Sequence, residues 1–327
     1  MRSGFEGPAR PPASGPALSV IFVADTGRPS FPAGVEAFLT QTVDAGAFEL
    51  LVVDWEGGPS YLPLVERARS HARAPRISYL RAPRRGRAAL NNLGVSHASA
   101  PLLCFCADDF VPGPTYVESH LHYHAAHPEP TRVAIGPGVA TSEMRRASPF
   151  LAWLEDSGEL FGARFDEPST PLPAGYFYLG NASLKRSLYE KAGPFDERLP
   201  FAAYDDLEYG RRLTELGMVS ELVPAACCIH DHLITLADRR IQLGQAGVSA
   251  ALLSTPNMRT DERRWHLLKV HIQTFREWCR SASHDGPRIA WWRLLLALAF
   301  LNAYRHQMSS PPPSMSCRTA APGRPAL

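Results

Sequence analysis

Lysine is nearly absent from this chain: Lys185, Lys191 and Lys269 are the whole complement, and arginine carries the rest of the positive charge. A large charge of either sign is lacking too. Lys plus Arg number 34 and Asp plus Glu 32, for a net charge of +2, which creates no field that recruits nucleic acid. The six cysteines, at 104, 106, 227, 228, 279 and 317, contain no C-x-x-C pair and sit largely in apolar runs, so buried free thiols in a reducing cytosol are expected. Residues 1–17 carry Pro and Gly where a signal peptide has an apolar core, and read as a disordered leader. Nor is there an apolar run of the roughly 20 residues that cross a bilayer. The stretch "IAWWRLLLALAFLNAY", 289–304, is shorter and is interrupted by Arg293. With Trp291, Trp292 and Tyr304 near its ends, it suits packing on the main domain or peripheral contact with a membrane surface.

What is present is an ordinary globular composition, 45% hydrophobic and 20% charged, over 327 residues. That length suits one α/β domain with an appended piece. Apolar strands alternate with helical patterns: "LSVIFVAD" at 18–25, "FELLVVD" at 48–54, "RISYL" at 76–80 and "PLLCFCAD" at 101–108, with helices between them. The alternation predicts βαβ units and a mostly parallel sheet buried on both faces. Ligands bind beyond the carboxyl ends of such strands. Three of these strands end in acid, at Asp25, Asp54 and the Asp108–Asp109 pair, and carboxylates crowded on one rim require a cation or donors to offset their repulsion.

Downstream, the pattern predicts a strand over 131–140, a strand ending at Gly180, a helix from Ser183 to Gly193, a helix from about Asp205 to Gly217, and a strand at 218–224. From Leu236 to Tyr304 the patterns are helical only, and 309–327 is too rich in Pro, Ser and Ala to pack.

Each candidate site has two readings. Asp108 and Asp109 suit a turn and helix cap, or the oxygen ligands of Mg²⁺ or Mn²⁺ shared with a diphosphate. Asp205, Asp206 and Glu208 oppose a helix dipole, or present a general base to a cleft. His230 and His232, on one face of a strand, form an ordinary pair or two metal ligands. In "RAPRRGR", 81–87, Arg84, Arg85 or Arg87 offsets a bound diphosphate, or the run is a solvated loop. His120, His122, His124 and His127 do not keep one helical side and are expected on a solvated face.

Together these segments resemble the family 2 glycosyltransferases over roughly residues 18–235. "VIFVADTGR" resembles the family's first strand and turn, "LLVVDWEGGPS" its strand ending in Asp-Asp-Gly-Ser, and "GRAALNNLGVSHASAPLLCFCADDF" its Ala-Arg-Asn-x-Gly stretch leading to an acidic triplet. "GNASLKRSLYEKAGPFDERLPFAAYDDLEYGRRLTELG" is similar to its acceptor-side segment. The chain departs from the family at Thr26-Gly27, Asn91 and Ala107. It retains only Arg264-Trp265 of the processive synthases' Gln-x-x-Arg-Trp.

The resemblance implies an α/β GT-A fold, a mostly parallel sheet flanked by helices, with a C-terminal helical extension. The domain would span 18–235, its nucleotide-binding half 18–112 and acceptor half 113–235, followed by the extension at 236–308 and a disordered tail at 309–327. It implies inverting transfer from a nucleotide-diphospho-sugar to a glycan or lipid-linked acceptor in the cytoplasm, with Asp206 as base and Asp205 beside it. Asp25, Asp54, Arg87, Asn92 and Asp108 would bind nucleotide. Asp109, His230 and His232 would hold a divalent metal, and Asn181, Tyr204 and Arg212 would face the acceptor. A metal-dependent phosphohydrolase and a catalytically weakened nucleotide- or glycan-binding relative are the alternatives.

Overall fold

A computed structural model describes residues 15–25, 27–165, 172, 176–199, 201, 204–254, 269, 270, 272, 275, 276 and 286–309. Four apolar strands, β1 (Leu18–Val23), β2 (Phe48–Trp55), β3 (Arg76–Ala82) and β4 (Leu102–Ala107), run parallel. They are cross-connected by α1 (Phe31–Ala37), α2 (Leu62–Arg69) and α3 (Arg87–His97). β1 and β2 are buried almost without interruption, as expected of strands covered by helices on both faces.

After β4 the chain makes a short strand, β5 (Phe110–Pro112), then α4 (Tyr116–Ala126), β6 (Arg132–Ile135) and β7 (Gly138–Val139). Helices α5 (Ser142–Ala147) and α6 (Pro149–Asp156) precede β8 (Asn181–Lys185), α7 (Arg186–Ala192) and α8 (Asp205–Glu215). Last come β9 (Val219–Leu222), β10 (Cys228–His230), α9 (Leu236–Ser254) and α10 (Pro287–Ser309). The main sheet has seven strands in the order β3-β2-β1-β4-β8-β6-β9, and a second sheet of three has the order β5-β10-β7. Only β8 runs against its neighbours in the main sheet, pairing antiparallel with both β4 and β6.

Two expected elements are relocated. The strand predicted over 131–140 is two strands in two different sheets, because Pro137 has no amide hydrogen to continue the ladder. Residues 181–185, expected partly as helix, form β8 instead, and the helix begins at Arg186. Pairing on both edges overrides the local preference there.

The four-histidine segment is also different from expectation. His120 and His124, one turn apart on α4, face the sheet and are buried. Cys104, Cys106 and Cys228 are buried free thiols, while Cys227 is half-buried.

In the extension α9 and α10 pack side by side in the same direction, Gly244 lying by Ala299 and Ala250 in one apolar cluster with Tyr304. Gly247 makes the close approach possible, since a Cβ there would strike the Phe300 carbonyl. The pair docks on the main domain through Trp292, whose ring lies 5.1 Å from Phe150 and 5.4 Å from Trp153. Trp291 remains exposed. Among the described residues no helix is long and apolar enough to cross a membrane. Most of the leader, the prolines at 168, 171 and 173, Arg264-Trp265 and nearly all of the tail lie outside the described residues.

Candidate active site

The carboxyl ends of β1 and β4 open into a cavity of about 370 Å³. Asp25, Asp108, Asp109, Tyr204, Asp206, His230 and His232 all line it. The sequence placed these acids at strand ends, and the parallel register brings Val23 beside Ala107. Asp25 and the 108–109 pair therefore share one rim.

Asp109 meets the two histidines because β10 pairs antiparallel with β5, setting His230 opposite Phe110. The Asp231 amide donates to the Asp109 carbonyl at 2.8 Å. Asp109 Oδ2 is then 3.4 Å from His230 Nε2 and 3.5 Å from His232 Nδ1. Burial alone would raise the Asp109 pKa, but hydrogen bonds and charge from His230 and His232 hold it well below the usual carboxylate range. The three ligand atoms lie within 4.8 Å of one another. A cation with ligand bonds of about 2.0–2.2 Å spans the 3.4 and 3.5 Å separations from Asp109 to the two rings. Among the described residues His230 Nδ1 is buried without a partner, a costly state for an imidazole that only packs. The donor set fits a divalent transition-type ion.

Asp108 is buried and fixes the turn after β1. Its Oδ2 accepts from the Gly27 amide at 3.0 Å, and its carbonyl accepts from the Ser30 hydroxyl at 3.3 Å. Gly27 has φ +68°, a conformation that favours glycine and aims this amide at the carboxylate. Arg85 Nε lies 3.1 Å from the Asp25 carbonyl and 3.4 Å from its Oδ1. Burial raises the Asp25 pKa against the lowering effect of Arg85 and Arg87.

Helix α8 is preceded by Tyr204 at its N-cap, whose φ of +85° is unusual for a bulky residue. Asp205 turns inward and is almost fully buried, gripped by Arg87 through Nε at 2.8 Å and through Nη2. Asp206 turns to the cavity, 3.6 Å from Arg87 Nη2, with the Leu207 amide donating to its Oδ1 at 2.9 Å. Burial pushes the Asp206 pKa up to about 6; Arg87 opposes the rise and Asp205 adds to it.

Five expected site residues do not line the cavity: Asp205, held by Arg87, and four others. Asp54 is buried and accepts from Arg81 Nε at 2.8 Å and from the Tyr79 hydroxyl. Asn92 staples α3 to the turn after α7, donating to the Phe195 carbonyl at 3.0 Å and accepting from the Phe195 amide at 2.9 Å. Asn181 bridges His120 and the Ala226 carbonyl. Arg212 bonds to Glu208 and to the Ala192 and Pro194 carbonyls.

The remaining walls come from residues without a motif: Phe161, Tyr176 and Tyr178 from the connection between α6 and β8, and Arg239, Gln242 and Leu243 from α9. Only the aromatic content of "YFYLG" and the amphipathic start of α9 hinted at them.

Comparison with known proteins bears on this arrangement. Residues 19–192 match the glycosyl transferase family 2 model. A validoxylamine A glucosyltransferase of Streptomyces hygroscopicus subsp. jinggangensis is 30% identical over a match covering 40% of this chain and 36% of that protein. The match thus spans about a third of the length of this curated relative. The mannosyltransferase PcManGT of Pyrobaculum calidifontis, solved with GDP-Man and Mn²⁺, superposes with a TM-score of 0.51 at 17% identity, covering 90% of this chain and 74% of that one. Staphylococcus aureus TarS 1-349 gives 0.51 at 12% identity, with 89% and 90% covered. These likenesses establish the GT-A fold.

Proposed function

The chain belongs to glycosyl transferase family 2, and from that premise we propose that it transfers a sugar from a nucleotide-diphospho-sugar to an acceptor hydroxyl with inversion at the anomeric carbon. The observation that carries the reading is the position of Asp206, a carboxylate with a pKa raised to about 6, in the same cavity as the Asp109, His230 and His232 cluster. The cluster would serve a departing diphosphate, and Asp206 a base.

In this reading the acceptor hydroxyl binds beside Asp206 and Tyr204 and gives its proton to the Asp206 carboxylate. The hydroxyl oxygen attacks the anomeric carbon as the bond to the diphosphate oxygen breaks, and the electron pair leaves with the diphosphate. Attack opposite the leaving group inverts the configuration. Asp109, His230 and His232 would hold Mg²⁺ or Mn²⁺, which when bound supplies positive charge to the leaving diphosphate. The GDP-Man and Mn²⁺ bound by PcManGT support that class of donor and ion.

Arg87 is committed to Asp205 and Asp206, so its role is to set the charge and position of the base. Asp25 and Asp108, which line the cavity, would contact the nucleotide, whereas Asp54 is buried against Arg81 and Tyr79. Residues 18–235 would form the catalytic domain, and 236–308 the extension that completes its wall. The test is Asp206→Asn in the full chain, assayed with a panel of nucleotide-sugars in Mn²⁺ or Mg²⁺. Transfer is expected to be lost while nucleotide binding persists, and an Asn variant that transfers sugar normally removes Asp206 from the base position.

A further inference from the structure

The helical extension sends two arginines onto the turn after α6, and the turn treats them differently. Arg293 of α10 pairs with the Glu159 carboxylate and lies over the Trp153 ring at 5.4 Å. Arg239 of α9 meets only uncharged oxygens. Its Nη2 donates to the carbonyls of Glu159 and Leu160, the latter at 3.1 Å, and its Nη1 donates to Gln242 Oε1 at 3.1 Å. Its Nε is buried without a partner among the described residues. Among the described residues no carboxylate stands within ion-pair distance of it.

A half-buried guanidinium that is held in place but not neutralised carries a desolvation cost unless something supplies the missing charge. Burial depresses the Arg239 pKa, while Glu159 and Asp206 act on it through space in the opposite direction. Arg239 and Gln242 both line the cavity that contains Asp206. The planar fork of arginine suits phosphate and carboxylate groups.

We propose that Arg239 anchors an oxyanion, a phosphate or a carboxylate, carried by the acceptor, so that the enzyme selects an acceptor with negative charge near the hydroxyl it modifies. The inference rests on the glycosyltransferase reading. The acceptor is chosen over the donor because Arg239 and Gln242 line the cavity together with Asp206, the proposed base, whereas the diphosphate is assigned to the Asp109, His230 and His232 cluster.

The test titrates the full chain calorimetrically with glucose 6-phosphate, glucuronate and glucose, each with and without UDP or GDP plus Mn²⁺. At least one charged probe should bind about tenfold or more tightly than glucose. Arg239→Gln should abolish that preference, Arg239→Lys should keep part of it, and nucleotide affinity should be unchanged in both. Equal binding of charged and neutral probes, no binding of any probe, or a preference that survives in Arg239→Gln overturns the proposal. Weakened nucleotide binding in Arg239→Gln moves the guanidinium to the donor and overturns it as well. If Arg239→Gln does not fold, the probe contrast in the natural chain and the Arg239→Lys variant still decide. Failure of every nucleotide to bind counts against the glycosyltransferase reading, and the titrations without nucleotide are independent of that result.

Discussion

Arg87 grips both side-chain oxygens of Asp205 and stands 3.6 Å from Asp206 Oδ2, so a single cation ties the start of α3 to the start of α8. Two adjacent acids thereby acquire different chemistry. Asp205 is neutralised inside the protein, and Asp206 is left facing the cavity with a pKa pushed up to about 6.

A base works only when deprotonated, so transfer should fall about tenfold per pH unit below about 6 and level off above it. Arg87 opposes the upward shift, so Arg87→Gln should move this limb to higher pH. Initial rates between pH 4.5 and 8 measure it. A limb that stays in place in Arg87→Gln detaches Arg87 from the base.

The same substitution has a stability cost. Asp205 is only 2% exposed, and losing its partner leaves a buried charge uncompensated, worth roughly 3–5 kcal/mol. The double variant Arg87→Gln with Asp205→Asn should regain part of the loss, since an amide replaces the orphaned carboxylate. Urea unfolding of the two variants compares them, and a double variant less stable than Arg87→Gln contradicts the account.

Loss of Asp109 or His232 should remove metal dependence rather than fold. Asp109→Asn and His232→Ala are expected to weaken Mn²⁺ binding by more than the about 10–100-fold typical of an outer partner. Calorimetric titration with Mn²⁺ alone reads this without requiring turnover, and unchanged affinity in both variants excludes the cluster as the ion site.

Much of the site was legible because acids and histidines at strand ends carry both a pattern and a chemistry. The four parallel strands were readable from apolar periodicity, and with them the shared rim of Asp25, Asp108 and Asp109. The meeting of Asp109 with His230 required a strand pairing across more than a hundred residues, which local pattern does not encode. Asn92, Asn181 and Arg212 look functional by motif, yet they tie backbone segments together. Arg239 carries no motif, and its surroundings depend on which carbonyls and carboxylates the fold places around it. The histidines of α4 misled for a third reason, since polar residues at helical spacing look solvated unless their partners in β8 are known.

Those histidines form a network that closes only with both rings neutral. The Asn181 amide nitrogen donates to the Ala226 carbonyl at 2.7 Å, which leaves its Oδ1 to accept from His120 Nε2 at 3.0 Å. His120 Nδ1 then accepts from the Ser183 hydroxyl at 2.8 Å, and that oxygen accepts from His124 Nε2 at 2.9 Å. His124 Nδ1 faces the Lys185 ammonium at 3.4 Å. Burial lowers the His120 pKa from 6.5 to about 4 and that of His124 to about 3, with Lys185 adding to the latter. A folded-state pKa below the unfolded value means that acid protonates the unfolded chain first. The stability these rings contribute is complete above about pH 6.5 and is lost as pH falls toward 4. For His120 the loss is roughly 3 kcal/mol, from a shift of about 1.4 kcal/mol per pH unit. Urea unfolding at pH 7.5, 6.5, 5.5 and 5.0 should therefore show a decline that is shallower in His120→Gln, even though that variant starts less stable. Equal slopes in the natural chain and the variant would show that His120 takes up no proton on unfolding.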